Sequence, residues 1–113
     1  MPKKTKETNP TDIVRSMSLF ATDSDFMHKF LPTLEPKSIR QPEVAWVMKA
    51  VIKHAKDTKA APTFEILRSM LEADHGLRDE EKELVEPFID EMEERRPKRK
   101  EREYYQGVFE SYV

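Results

Sequence analysis

The amino-acid sequence predicts an all-α protein: a small bundle of about five or six short helices with a C-terminal amphipathic helix. Apolar residues recur along the chain at the spacing of one helical face, whereas the alternation typical of β-strands is absent. Glycine occurs only twice in 113 residues, and both copies are expected near helix ends. These observations favour one helical domain over residues 11–94, followed by the amphipathic segment 95–113.

The first predicted helix begins at Thr11 or Asp12, because either side chain can cap its N-terminus. Residues 1–10 contain nothing to bury, and we expect a disordered basic arm there. Its cations are candidates for weak contacts with nucleic acid, although a solubilising role is the simpler interpretation. They are Lys3, Lys4 and Lys6.

A second, short helix follows, with Asp23 or Ser24 as its cap. Pro32 and Pro36 then indicate a connection rather than a helix. The core-facing residues of the short helix are expected to be Phe26, Met27, Phe30 and Leu31.

The longest predicted helix runs from Gln41 to about Lys59, and Pro42 suits its first turn. Trp46 lies almost opposite the apolar face of this helix. Two interpretations are open: the helix is buried on two sides, or Trp46 anchors a contact with a partner protein. The apolar face consists of Val44, Val47, Met48, Val51, Ile52 and Ala55.

The fourth predicted helix has a start signal and a stop signal. Pro62 prevents continuation of the preceding helix, and Thr63 can cap the new one. Gly76 is expected to end it in a left-handed conformation, with Leu77 as the accompanying apolar contact. The inward residues are expected to be Phe64, Leu67, Met70 and Leu71.

The fifth predicted helix opens with Asp79, Glu80 and Glu81, whose negative charge suits a helix N-terminus. Pro87 falls inside its apolar pattern and predicts either a kink or a boundary between two short helices. The apolar pattern consists of Leu84, Val85, Phe88, Ile89 and Met92.

The tail over residues 95–113 combines basic and aromatic residues, a mixture that suits either nucleic acid or helix packing. The basic residues Arg95, Arg96, Lys98 and Arg99 could contact phosphates, or an acidic block over residues 79–94 could screen them. On a helical wheel the aromatic residues share one arc that most charges avoid, which favours packing against a helix. We therefore predict a protein interface at Tyr104, Tyr105, Phe109 and Tyr112, with Trp46 as a second candidate.

Several kinds of chemistry find no support. A GxxxxGK[ST] phosphate loop is absent, and the three histidines His28, His54 and His75 lie on separate elements without metal-ligand spacing. We expect no enzymatic activity, no cofactor and no bound metal. With no cysteine, no secretory signal and no membrane span, the sequence favours a cytoplasmic protein without a membrane partner.

The order of these segments resembles the N-terminal domain of DnaB-type replicative DNA helicases, particularly divergent phage versions. An FxxxFL segment from Phe26 to Leu31 is followed by a linker, a long apolar helix, a Pro62-Thr63 helix start and an acidic helix. The chain closes with EYYQGVFESYV, which would match the start of a helical hairpin in that family. The resemblance covers roughly residues 24–113, but Pro97 and the adjacent basic run do not match the family pattern.

The resemblance implies a domain without ATPase activity that pairs with copies of itself into a collar and docks a primase or helicase loader. A first alternative is a stand-alone phage or bacterial helicase loader or inhibitor, which would bind another protein's helicase. A second alternative is a small helical DNA-binding protein that uses the basic arm and the basic run.

Overall fold

A computed structural model describes residues 10–112, and within them the chain is all-α, as predicted. No strand occurs in this range. Short 3-10 helices lie at Leu31–Thr33, Pro36–Ser38 and Arg99–Glu101. The α-helices are α1 (Pro10–Thr22), α2 (Ser24–Phe30), α3 (Pro42–Thr58), α4 (Phe64–Ala73), α5 (Asp79–Glu94) and α6 (Arg102–Tyr112).

Helix α1 is the central element, because it contacts α2, α3, α5 and α6. Its residues 16–21 are all buried, so little of the helix surface reaches solvent there. Two of these residues are serines, whose small side chains let neighbouring helices approach closely. The Ser18 hydroxyl donates a hydrogen bond to the Met92 carbonyl in α5 over 2.7 Å. The sequence pattern did not predict this central position.

An aromatic cluster joins both ends of the chain. Phe109 of α6 stacks on Phe20 of α1, with ring centroids 5.0 Å apart. Phe26 and Phe30 of α2 meet the same Phe109 ring edge-on at 5.7 and 4.9 Å. The bundle over residues 11–94 and the tail over 95–113 therefore share one core.

Two predicted helix starts are confirmed by capping hydrogen bonds. Asp23 accepts from the Phe26 amide over 3.1 Å, and Thr63 accepts from the Ile66 amide over 3.1 Å. Pro42 occupies the first turn of α3, as expected. Helix α1 begins at Pro10, slightly before the predicted Thr11 or Asp12.

The predicted left-handed ending at Gly76 is wrong, because no glycine in residues 10–112 has a positive φ. Helix α4 ends instead at Asp74, whose Oδ1 accepts the Gly76 amide over 3.1 Å. The left-handed residue is Lys59, with φ 64°, at the end of α3. Its amide donates to the Ala55 carbonyl over 2.7 Å, which closes the last turn.

Pro87 lies inside one continuous helix, α5, so the alternative of two short helices is wrong. The Pro87 side chain is exposed to solvent. The carbonyl one turn earlier, left without an amide donor by the proline, can therefore be hydrated by water.

Gly107 lies in the middle of α6 rather than near a helix end. It is exposed, and a Cβ built on it meets no atom within 4 Å. We expect Gly107→Ala to raise the free energy of unfolding by about 0.5 to 1 kcal/mol, because alanine has the higher helix propensity. Urea denaturation followed by circular dichroism measures the change. A destabilised variant would contradict the helical assignment of this position.

Candidate functional site

An open groove with a volume of about 390 Å³ lies between α3 and α4. We call it the Trp46 groove. Its size is that of a small-ligand cleft or of a shallow site for side chains of a docked helix. The lining residues are Trp46, Lys49, Ala50, Lys53, Met70, Ala73, Asp74 and His75.

The Trp46 side chain is hydrogen-bonded at one edge and is partly exposed to solvent. Its indole Nε1–H donates to Asp74 Oδ2 over 2.9 Å, while the ring packs partly against the core. The other carboxylate oxygen of Asp74 accepts the Gly76 amide. Asp74 thus ends α4 and fixes the tryptophan of α3 at the same time. Both sequence-based interpretations of Trp46 remain compatible with this half-buried setting.

Charges around the groove are unevenly distributed. Lys49 and Lys53 are exposed, lie one helical turn apart on α3 and line one side. Trp46, Ala50, Met70 and Ala73 supply the apolar floor. An apolar floor with a cationic border is chemically suited to a partner segment that carries both apolar and acidic side chains.

The pKa of Asp74 lies below its usual value, chiefly because the carboxylate accepts the Trp46 N–H bond. The Gly76 amide adds to this lowering, as do the charges of Lys82 and Lys53. A carboxylate with a lowered pKa stabilises the fold above the unfolded-state pKa, and that contribution disappears as pH falls through the folded pKa. Because the Asp74 side chain is only partly buried, we expect the effect on overall stability to be small.

Trp46 is the only tryptophan, so its fluorescence reports on this hydrogen bond. We expect an acid titration of that fluorescence with a midpoint below 3.8, the ordinary value for the carboxyl. In Asp74→Asn this step in the fluorescence titration should be absent, since the amide does not titrate. Asp57→Asn, which changes an exposed carboxylate elsewhere on α3, should leave it unchanged. A step that survives in Asp74→Asn would contradict the assignment.

The predicted aromatic interface of α6 is wrong for two of its four residues, because their side chains are buried within the chain. Phe109 is fully buried and Tyr105 is 5% exposed, so neither is available to a partner. They face α1 because the apolar arc of α6 meets that helix within the same chain. The Tyr105 hydroxyl accepts from the Arg15 guanidinium over 3.2 Å.

The other two tyrosines of that arc reach the surface. Tyr104 is 61% exposed, and its hydroxyl donates to Asp12 Oδ2 over a long 3.4 Å. Tyr112 is half-buried and donates to Gln41 Oε1 over 2.8 Å. Of the four predicted residues, only these two could contribute to a surface.

The basic run is partly occupied by contacts within the chain. Arg95 pairs with Glu91 of the acidic block over 3.2 Å. Arg96 donates to the hydroxyl of Thr22 in α1 over 2.9 Å. Lys98 and Arg99 are exposed, and neither forms an ion pair within residues 10–112. The acidic block therefore screens this run only in part, and Lys3, Lys4 and Lys6 lie outside the described residues.

A surface residue that sequence reasoning placed wrongly is Leu84. The apolar pattern of α5 assigns it to the core, yet it is 49% exposed. On an ideal wheel Leu84 lies about 100° from Val85 and about 80° from Met92, at the margin of the buried arc. The sequence shows that Leu84 lies at the margin of the apolar arc of α5. It does not show which margin of that arc the neighbouring helices leave exposed.

Within the described residues, no group of three or more acidic or histidine side chains could hold a metal ion. No helix in that range is long and apolar enough to cross a membrane. Comparisons with protein-family models, curated proteins and solved structures found no match to this chain.

Proposed function

We propose that this chain is a non-catalytic protein-interaction and self-association domain of a replicative DNA helicase. In this role it would contribute to an N-terminal collar and dock a primase or helicase loader. The observation that carries the proposal is the Trp46 groove, an apolar depression that the described part of the chain leaves open.

The groove supports docking because its lining resembles the centre of a protein interface. Tryptophan is enriched among residues that dominate binding energy, and methionine adapts to the shape of a partner. Trp46 is already restrained by Asp74, so binding would cost little additional side-chain entropy.

The helicase assignment is supported by the order of elements alone. The FxxxFL segment lies on α2 and the following 3-10 turn, and Pro62-Thr63 directly precedes α4. The long apolar helix α3 lies between these two segments in the chain, and the acidic helix α5 follows α4. These are the features on which the sequence resemblance depends.

DNA binding is a weaker proposal, because Arg95 has an acidic partner and Arg102 contacts Asp23 and Asp25 at 3.4 and 3.7 Å. Stacking on bases requires aromatic rings beside free cations, and two of the four aromatic rings of the tail, Tyr105 and Phe109, are buried in the core.

A test of self-association distinguishes the helicase-domain proposal from the alternative of a stand-alone loader or inhibitor. We expect light scattering to show an apparent mass that rises with concentration toward a dimer or a larger ring. A strict monomer from low micromolar to near-millimolar concentration would overturn the self-association part of the proposal. Such a monomer that instead bound a foreign replicative helicase would favour the loader or inhibitor.

A further inference from the structure

We infer that copies of this chain associate head to tail, with the Trp46 groove of one copy receiving the acidic helix α5 of the next. The inference rests on the proposed self-association and names its two surfaces. The receiving surface is the Trp46 groove. The inserted surface, here the Leu84 ridge, consists of Leu84, Pro87, Glu80, Glu83 and Glu94 on the outer side of α5.

The Leu84 ridge has the composition that the groove requires. Leu84 and Pro87 are both exposed and lie three positions apart, on one helical face. Glu80 precedes Leu84 by one turn, and Glu83 is adjacent to it. Residues 79–94 contain nine acidic side chains and one lysine, so this helix is strongly negative although the whole chain has a net charge of only −2.

Some acids of α5 are engaged within the chain, and their positions define which side remains open. Arg68 of α4 contacts Asp90 at 2.9 Å and Glu93 at 2.6 Å, on the side that faces α4. By contrast, Glu80, Glu83 and Glu94 form no ion pair within residues 10–112. On an ideal wheel, Glu80, Glu83 and Glu94 lie within about 100° of Leu84, on the arc that also contains Pro87.

The groove has complementary properties. Lys49 and Lys53 are exposed on its border and likewise form no ion pair within the described range. The floor offers an indole, a methionine and two alanines for a leucine side chain. Opposite charge would guide the approach of the two surfaces, while burial of Leu84 would supply the apolar contribution.

The two surfaces cannot meet within one chain as it is folded. Val85, Phe88 and Ile89 fix α5 in the core, and Leu84 is not among the residues that line the groove. Every copy thus presents one groove and one ridge. Such a heterologous contact produces a ring when the rotation between copies closes, and an open filament otherwise.

Charge reversal tests the pairing. A groove variant carries Lys49→Glu with Lys53→Glu, and a ridge variant carries Glu80→Lys with Glu83→Lys. Each variant alone should stay monomeric at concentrations where the unmodified chain associates, because like charges then face each other. An equimolar mixture should associate again, since reversed groove meets reversed ridge and each unmodified surface also finds its complement.

Leu84→Ala should weaken association by about tenfold or more, because it removes the apolar anchor. Arg99→Glu with Lys100→Glu makes the same charge change as the groove variant at an exposed site away from the groove, and should leave association unchanged. All altered side chains are exposed, so thermal unfolding by circular dichroism should confirm that each variant is folded.

The outcomes separate the two proposals. An unmodified chain that never associates overturns the self-association underlying both. An unmodified chain that associates while the charge-reversed variants also associate overturns the head-to-tail pairing alone. Failure of the mixture to recover association, when both variants are folded, has the same consequence.

Discussion

Replacing Phe109 with alanine is expected to lower the free energy of unfolding by about 3 to 5 kcal/mol, the largest effect of any substitution by alanine. Its ring is fully buried and contacts the rings of Phe20, Phe26 and Phe30. Truncation would remove the aromatic contacts and leave a cavity between α6 and the two helices that hold these rings, α1 and α2. For a domain of this size, the melting temperature should fall by about 12 °C or more.

A matched control for this change is Tyr104→Ala. The two residues lie on the same helix, but Tyr104 is 61% exposed, and its loss should change stability by no more than about 0.5 kcal/mol. Urea denaturation of both variants measures the difference. Similar losses at the two positions would contradict the packing of α6 on α1, because they would mean that Phe109 contributes no more than a surface tyrosine.

Local signals in the sequence predicted local structure well. The side chains of Asp23 and Thr63 accept hydrogen bonds from backbone amides three residues further along the chain. Their roles as helix caps therefore follow from residue type and spacing. The wheel of α6 placed its four aromatic residues on one arc, of which Tyr105 and Phe109 are buried whereas Tyr104 is exposed. It could not identify what that arc contacts, because the partner helix α1 lies about ninety residues away in sequence, as the bond from Arg15 to Tyr105 illustrates.

The Trp46 groove could not be predicted from the sequence, for a related reason. Trp46 was recognised as unusual on its own helix, but its partner Asp74 lies 28 residues away, on the end of α4. Only the packing of α3 beside α4 joins the two residues and leaves a depression between them.

Burial of α1 was missed because serine usually indicates an exposed position. Ser16 and Ser18 are fully buried, where their small size permits close packing and their hydroxyls are satisfied by carbonyl groups. A helix with alternating serine and apolar residues therefore has no clear polar face, which is compatible with a position at the centre of the bundle.

Among the substitutions by alanine, Ser18→Ala is expected to have the second largest effect. The Ser18 hydroxyl donates to the Met92 carbonyl in the last turn of α5, where helix carbonyls lack partners within the helix. Ser18→Ala should destabilise the fold by about 1 to 3 kcal/mol, because that buried carbonyl would lose its donor. Ser18→Leu should cost about 2 to 6 kcal/mol, since overpacking between α1 and α5 is added to the lost hydrogen bond.

Ser16→Ala is the control that isolates the contact between helices. Ser16 is as buried as Ser18 and lies on the same helix, but its hydroxyl donates to Ile13 of α1 itself over 3.1 Å. The loss of this local bond is offset by the higher helix propensity of alanine, so we expect a change within about 0.5 kcal/mol. Equal losses for Ser16→Ala and Ser18→Ala in urea denaturation would mean that the bond to Met92 has no special role. A larger loss at Ser18 would establish that this hydroxyl links α1 to the end of α5, immediately before the basic run.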